Sequence, residues 1–398
     1  MNLRLIFSIL AVIGFLSCNN TEIALHPIAD VSFETMGIAS AQISDKLKNQ
    51  PLKLYAQTDS EKIEIPYQII GNKLYWKTLK NNSTYLISNE SPSLGQDISM
   101  SVTTEQIEVF LSNNKVIGYQ MALKEVPKGV NKAYQRSGYL HPVNTPSGKR
   151  LTRIQPKDHY HHYGIWNPWT HTLFDGDTID FWNLNKKQGT VRFSKLINKV
   201  TGPVFSEFEV LHEHVVLKDE QNTIALNEIQ NIRIFPMDEK RYLMDLKISY
   251  QCATDKAFKI IKYRYGGLGW RTTEVWDNQN SRILTSEGKT RKNADGSTAR
   301  WCIVDGQLEN AYGGVLLLSH PQNYNHPEPL RIWPEDQYER GDLFVNFATT
   351  KTKDWILNPG ETYELNYRLI VYDGKMDTES AEKAWNQFVN PLQYELKP

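Results

Sequence analysis

Three histidines crowd into the run Asp158-His159-Tyr160-His161-His162-Tyr163-Gly164-Ile165-Trp166, and five of the chain's ten histidines fall between His141 and His171. Imidazole is the side chain whose ordinary pKa lies nearest neutrality, so a knot of them beside a carboxylate supplies proton-transfer groups or metal ligands. Read as extended chain, the run puts His159 and His161 on one face with Tyr163, and Asp158, Tyr160 and His162 on the other. On that reading His159 and His161 are acid and base, and His162 with Asp158 orients or tunes them. A second reading makes His159 and His161 metal ligands completed by a distant group such as His320 or His326. The indoles of Trp166 and Trp169 offer flat faces for a sugar ring.

Further polar groups flank this run. Tyr139-Leu140-His141-Pro142 and Thr145-Pro146-Ser147-Gly148 carry turn-forming residues that make an ordered loop, with His141 as a substrate contact. Arg153 and Arg271 present planar forks that suit a hydroxyl-rich or anionic ligand. Glu287, in Thr285-Ser286-Glu287-Gly288, is a further acid or base candidate. Near the C-terminus, His320, Asn323 and His326 follow the strand-like Gly314 to Leu318, and strand ends commonly present ligand-binding groups. They are expected to form the opposite wall of the cleft. His212 and His214 alternate along an ordinary strand and read as structural.

The elements that must position these groups are mostly strands. Leu52 to Ala56, Ile63 to Ile70, Leu74 to Trp76 and Tyr85 to Ser88 make a small β-sandwich over 28–98, with Gly71-Asn72 as a hairpin turn. A larger β-rich unit spans 105–390. In it Tyr242, Met244, Leu246 and Ile248 share one face while Asp245, Lys247 and Ser249 share the other, the period of a strand wet on one side. Phe205 to Val216, Thr223 to Phe235, Phe258 to Tyr265, Gly314 to Ser319, Leu343 to Ala348 and Tyr363 to Tyr372 read as strands too. One helix is expected over Thr378 to Val389, capped by Asp377, with Ala381, Ala384, Trp385 and Phe388 in one stripe. The fold class is therefore all-β with a short C-terminal helix.

Residues 1–17 combine Arg4 with an apolar run from Leu5 to Leu16, the pattern of an export signal. Phe15-Leu16-Ser17-Cys18 resembles a bacterial lipobox, which implies lipidation of Cys18 and a tether over 18–27. The chain is then held at the cell envelope by its lipid, since no later segment approaches the twenty or so apolar residues of a membrane span. Lys plus Arg and Asp plus Glu balance at 45 each, which speaks against a nucleic-acid partner. Cys252 and Cys302 are too few and too scattered for a disulfide framework. Ten Trp and twenty Tyr suit stacking on sugars, and large β cores also consume aromatics.

Gly138 to Pro142, Thr145 to Gly148, Asp158 to Trp166, Gly266-Gly267-Leu268, His320-Pro321-Asn323, Pro359-Gly360-Glu361 and Asp373-Gly374 together resemble a family of secreted bacterial proteins labelled PmoA-like. The resemblance covers about residues 105–375. Its label, methane oxygenase, does not describe this chain, because methane monooxygenase membrane subunits cross the bilayer many times. The last third, with Gln322, Asn325, His326, Pro327 and Leu357 to Tyr363, resembles galactose-mutarotase-like β-supersandwich proteins. That resemblance implies that the large antiparallel unit following the small N-terminal β-sandwich is a β-supersandwich, and it implies a saccharide substrate. The place of that family's catalytic glutamate is taken here by Ser319-His320. The expectation is an enzyme that cleaves or rearranges a glycosidic linkage in an oligo- or polysaccharide. No cofactor is required, with a divalent metal at the histidines or a non-catalytic glycan-binding lipoprotein as alternatives.

Overall fold

The computed structural model describes residues 22–28, 37–79, 84–95, 97–218 and 221–397. The proposed signal segment and Cys18 lie outside them, as does the turn at Asn81 to Ser83. No helix among the described residues is long and apolar enough to cross a membrane.

The first sheet has eight strands in the order Lys62–Ile65, Lys53–Gln57, Thr84–Ser88, Ile23–Pro27, Leu392–Lys397, Ile38–Gln42, Lys73–Lys77, Tyr67–Ile70. Its two edges, Lys62–Ile65 and Tyr67–Ile70, are separated in the chain only by Pro66, which has no N–H for a ladder. The sheet therefore curls until its edges meet, around a core that includes Leu54, Trp76, Tyr85, Ile87 and Tyr394. Two expectations change here. The stretch read as a tether supplies the strand Ile23–Pro27, and the module takes its central strand from the C-terminus, Leu392–Lys397.

Two large sheets and a small four-stranded one, in the order Asp177–Ile179, Thr172–Phe174, Phe258–Ile260, Trp355–Leu357, build the rest. A nine-stranded sheet runs in the order Thr298–Ala299, Glu328–Ile332, Phe344–Phe347, Gly269–Arg271, Ile165–Trp166, Tyr139–Val143, Asn114–Gln120, Gln106–Leu111, Ile98–Val102. An eight-stranded antiparallel sheet runs Gly189–Thr201, Ser206–Val216, Thr223–Asp238, Arg241–Cys252, Tyr363–Asp373, Ala311–Ser319, Trp301–Leu308, Ser281–Thr285. Side chains such as Ile107, Val109, Phe208, Met244, Leu246 and Trp270 join in one buried core between them. Alternation in Arg241–Cys252 is as read: Tyr242, Met244, Leu246 and Ile248 are buried, and Asp245, Lys247 and Ser249 are not. The stretch from Phe258 is shorter than expected, Phe258–Ile260, because it pairs only with the short strands Thr172–Phe174 and Trp355–Leu357.

The helix Thr378–Val389 forms as read, with the Asp377 carboxylate accepting from the Ser380 N–H at 2.7 Å. Its Ala381, Ala384, Trp385 and Phe388 pack on the face of the eight-stranded sheet that carries Trp301, Ile303, Leu316 and Leu318. Cys252 and Cys302 are both unpaired.

Candidate functional site: a histidine hub

The histidine run is not extended. Ile154 and Tyr163 bridge, the Gln155 N–H donates to the His162 carbonyl at 2.8 Å, and everything between is a loop. Inside it the His159 N–H donates to the Pro156 carbonyl at 2.9 Å and the His162 N–H to the His159 carbonyl at 3.0 Å. Two successive turns break the alternation, so His162 leaves the face assigned to it and joins His159 and His161. Ring centroids lie 4.6 Å apart for His159 and His162, 5.2 Å for His159 and His161, and 4.8 Å for His161 and His162. One ring nitrogen from each falls within 4.8 Å of the others.

The hub runs from solvent into an aromatic floor. The His159 side chain is 21% exposed, whereas His162 is sealed against Trp166 and Phe344, each 5.1 Å away. Trp182, Trp333 and Tyr265 complete the floor. Trp333 lies 5.0 Å from His159, and the Tyr338 hydroxyl 3.4 Å from its Nε2.

A chain of ion pairs backs the hub. Asp158 Oδ2 lies 2.9 Å from His159 Nδ1 and accepts from Arg271 Nη2 at 2.8 Å. The same guanidinium nitrogen reaches Asp342 at 2.7 Å, and Asp342 also accepts from Arg153 at 3.0 Å. Burial by itself would raise the Asp158 pKa, but the hydrogen bond from His159 and the Arg271 charge hold it well below the usual carboxylate range. Burial, then the charge of neighbouring His159, pushes His161 down to about 3. His162 is driven well below its ordinary value by burial and by the two neighbouring imidazoles. Both are neutral at pH 7.

Asp158 therefore fixes the His159 tautomer. With Nδ1–H donated to the carboxylate, Nε2 keeps its lone pair and faces the partly exposed side, where it can take a proton or a metal ion.

The remaining expected residues fall in several places. Arg153 and Arg271 join the hub, but as partners of Asp342 and Asp158; the Arg271 side chain is fully buried, with its guanidinium 4.6 Å from the Trp333 ring. Arg153 Nε and Arg271 Nε and Nη1 have no partner but are buried, so they present no open fork to solvent. His141 sits on the neighbouring strand Tyr139–Val143, its Nδ1 2.9 Å from Thr152 Oγ1. Trp166 and Trp169 are sealed, at 2% and 0% exposure, so neither presents a face to a ring from solvent. Trp169 instead packs on Tyr250 and Trp355. Glu287 is exposed in the turn after Ser281–Thr285, accepting from Ser286 Oγ at 3.1 Å, on the far edge of the eight-stranded sheet.

His320, Asn323 and His326 do not form the opposite wall. They lie before the strand Glu328–Ile332, whereas Trp333, which touches the hub, follows it. Five residues of strand separate Glu328 from Trp333 by about 17 Å. The late turn is organised by Glu328, which is buried and accepts from Ser319 at 2.5 Å, Asn323 at 3.0 Å, Thr349 at 2.6 Å and Tyr367 at 2.8 Å. His326 lies 3.2 Å from Ser319 Oγ and stacks over Trp385, and His320 packs on Phe388. His320 and His326 therefore cannot supply the hub's third ligand. His162 is the group that stands there.

Sequence reading missed Asp342, Trp333, Tyr338 and Glu328. Nothing in Arg340-Gly341-Asp342 marks its aspartate as the meeting point of arginines from two other strands and loops. His212 and His214 lie in the core against Glu228, with His214 Nε2 2.7 Å from its carboxylate.

Comparison with known proteins places few labels on this geometry. No curated protein matches the chain. Among solved structures, the heparan sulfate lyase HepC from Pedobacter heparinus is similar over 73% of this chain, at 9% identity and a TM-score of 0.32, and the chain spans 38% of that protein's length. A GalM/aldose epimerase homologue from C. elegans is similar over 70% of this chain and 100% of its own, at 8% identity and a TM-score of 0.30. Neither of these two structures nor the matching family carries the PmoA-like label. Residues 106–386 match a family of unknown function, DUF6807, and the chain belongs to that family.

Proposed function

We propose that this protein is a carbohydrate-active enzyme, held at the cell envelope through Cys18, whose chemistry takes place at His159, His161 and His162. The observation that carries the reading is the hub itself: three imidazoles gathered at a partly open edge, with His159 aimed by Asp158, which is in turn fixed by Arg271. The saccharide comes from the sequence resemblance to galactose-mutarotase-like proteins.

In the metal-free protein, His159 is the proton carrier. Its Nε2 accepts a proton from bound sugar, and the ionised Asp158 stabilises the imidazolium that results. His161, pushed down to about 3, is a weak base at neutral pH and serves instead as a neutral hydrogen-bonding wall. One imidazole working beside neutral partners suits abstraction of a proton from a sugar carbon: the electron pair left behind expels the β-oxygen, which takes the proton back from the imidazolium in elimination, or is reprotonated at carbon in epimerisation. Hydrolysis with two carboxylates needs a second acid that the hub does not supply. A purely glycan-binding role has less support, because Trp166 and Trp169 have no open ring faces.

The test is a glycan-library screen scored by mass spectrometry, which separates hydrolysis, elimination, isomerisation and binding. His159→Ala is expected to slow turnover at least 100-fold with unchanged circular dichroism. Full turnover in the His159→Ala/His161→Ala double variant would overturn the assignment.

A further inference from the structure

We infer that the hub is a binding site for one divalent transition-metal ion of the zinc type, held by His159 Nε2 and one ring nitrogen each from His161 and His162. This goes beyond the carbohydrate reading and uses the same side chains, so binding is tested apart from turnover.

Three observations carry it. One donor nitrogen from each ring lies within 4.8 Å of the other two. Tetrahedral coordination at Zn–N distances of about 2.0–2.1 Å sets ligand nitrogens about 3.3 Å apart, so closing the trio on an ion moves each donor by on the order of 1 Å. All three sit on one loop, and the side chains of His159 and His161 are only partly buried and can make that move.

His162 supplies the second observation. Its Nδ1 has no hydrogen-bond partner although the residue is 1% exposed. A buried polar atom without a partner is costly, and coordination of an ion is one of the standard ways of satisfying it.

The third is the shell behind the ligands. A metal-bound histidine typically donates its other N–H to a carboxylate, which fixes ring and tautomer and strengthens the ligand. Asp158 stands in that position toward His159 Nδ1 at 2.9 Å, and Arg271 and Asp342 hold Asp158 in place. Tyr338, whose hydroxyl lies 3.4 Å from His159 Nε2 and whose side chain is about half exposed, is the neighbour that must give way or turn toward the ion.

Donor type chooses the ion. Three imidazoles with no ligating carboxylate favour zinc, cobalt, nickel or copper over magnesium or calcium. Three protein ligands leave a fourth position for water, the arrangement of a reactive centre instead of a closed structural one. An ion held by His159 Nε2, His161 and His162 would supply a bound water of lowered pKa as a proton-transfer group.

The experiment uses the tag-free mature chain, stripped with chelator, loaded with zinc and desalted. Elemental analysis is expected to find close to one equivalent, with a rise in Tm on loading, and cobalt loading is expected to give the visible bands of a four-coordinate ion. Asp158→Asn should weaken zinc binding about 10–100-fold in calorimetry. His159→Ala/His161→Ala should abolish it, with near-ultraviolet circular dichroism confirming the fold; His161→Asn serves if the double variant is unstable. Less than about 0.1 equivalent in the native chain, or unchanged binding in the variants, overturns the site. Zinc bound at the hub with no turnover of any glycan removes the carbohydrate reading and leaves this one standing. Turnover by metal-free protein that also fails to bind zinc does the reverse.

Discussion

Asp342 shows how much of the hub depends on one carboxylate. It accepts from Arg271 at 2.7 Å, from Arg153 at 3.0 Å and from Arg340 at 2.5 Å, while Arg271 itself has no exposed side-chain surface. Removing the carboxylate leaves a buried guanidinium with only Asp158, and breaking a buried pair in this way costs about 3–5 kcal/mol. Asp342→Ala should therefore lower urea stability by that order and release Asp158, whereas Arg340→Ala, at a side chain 45% exposed, should cost under about 1 kcal/mol. Equal losses in the two variants would remove the distinction. His141 gives a pH signature. Burial, then the charge of Arg150, lowers it from 6.5 to about 4, so the folded protein binds fewer protons than the unfolded chain between those values. Its contribution to stability is complete above about pH 6.5 and is lost as pH falls toward about 4. His141→Gln should flatten the acid limb of a stability-against-pH curve in that window, by at most about 3 kcal/mol.

The loop that carries the hub is closed by a glycine that nothing larger can replace. Gly164 has φ +56°, and a Cβ built on it would lie 2.1 Å from the Leu140 carbonyl oxygen. Its N–H donates to the Arg153 carbonyl and its own carbonyl accepts from the Arg271 N–H, so it ties the segment before the loop to the strand that bears Arg271. Gly148 has a similar φ, +86°, with nothing within 4 Å of its would-be Cβ. Gly148→Ala should cost only the left-handed penalty, about 1–2 kcal/mol. Gly164→Ala adds a backbone clash and should cost clearly more, with loss of zinc retention as the loop shifts. Thermal unfolding of the pair checks this, and equal Tm values would contradict it. Pattern is informative for elements of this size: the helix from Thr378 follows from its apolar spacing and Asp377. The histidine loop does not follow the same logic, because Pro156 and the bridge from Ile154 to Tyr163 replace strand periodicity with turns.

At the scale of the molecule, the first and last strands of the described residues share one sheet. Leu392–Lys397 lies between Ile23–Pro27 and Ile38–Gln42, and Tyr394 packs 5.0 Å from Trp76. The curled sheet is tied to the eight-stranded one by Gln68, which accepts from the Phe205 N–H at 3.0 Å, and by Tyr75 against Phe205 at 5.3 Å. Truncation after Asn390 strips partners from two internal strands at once. Hydrogen exchange should then accelerate across residues 37–79 while Tyr139–Val143 and Ile165–Trp166, on the other sheet, keep their protection. Uniform acceleration would show that the hub's scaffold depends on the curled sheet too.

What this chain's sequence determined by itself is local. Period-two alternation specifies strands such as Arg241–Cys252, an apolar stripe with a cap specifies the helix Thr378–Val389, and the density of imidazoles marks where ring nitrogens gather, because each depends only on residues near in sequence. The tertiary structure alone decided which groups meet. Asp158 finds Arg271, and Arg271 finds Asp342, across separations of 113 and 71 residues, while His320 and His326, equally suited in type, are carried to the other end of a strand. Those outcomes follow from strand register and loop closure, which are set by the packing of the whole core and leave no periodic trace around the residues they bring together.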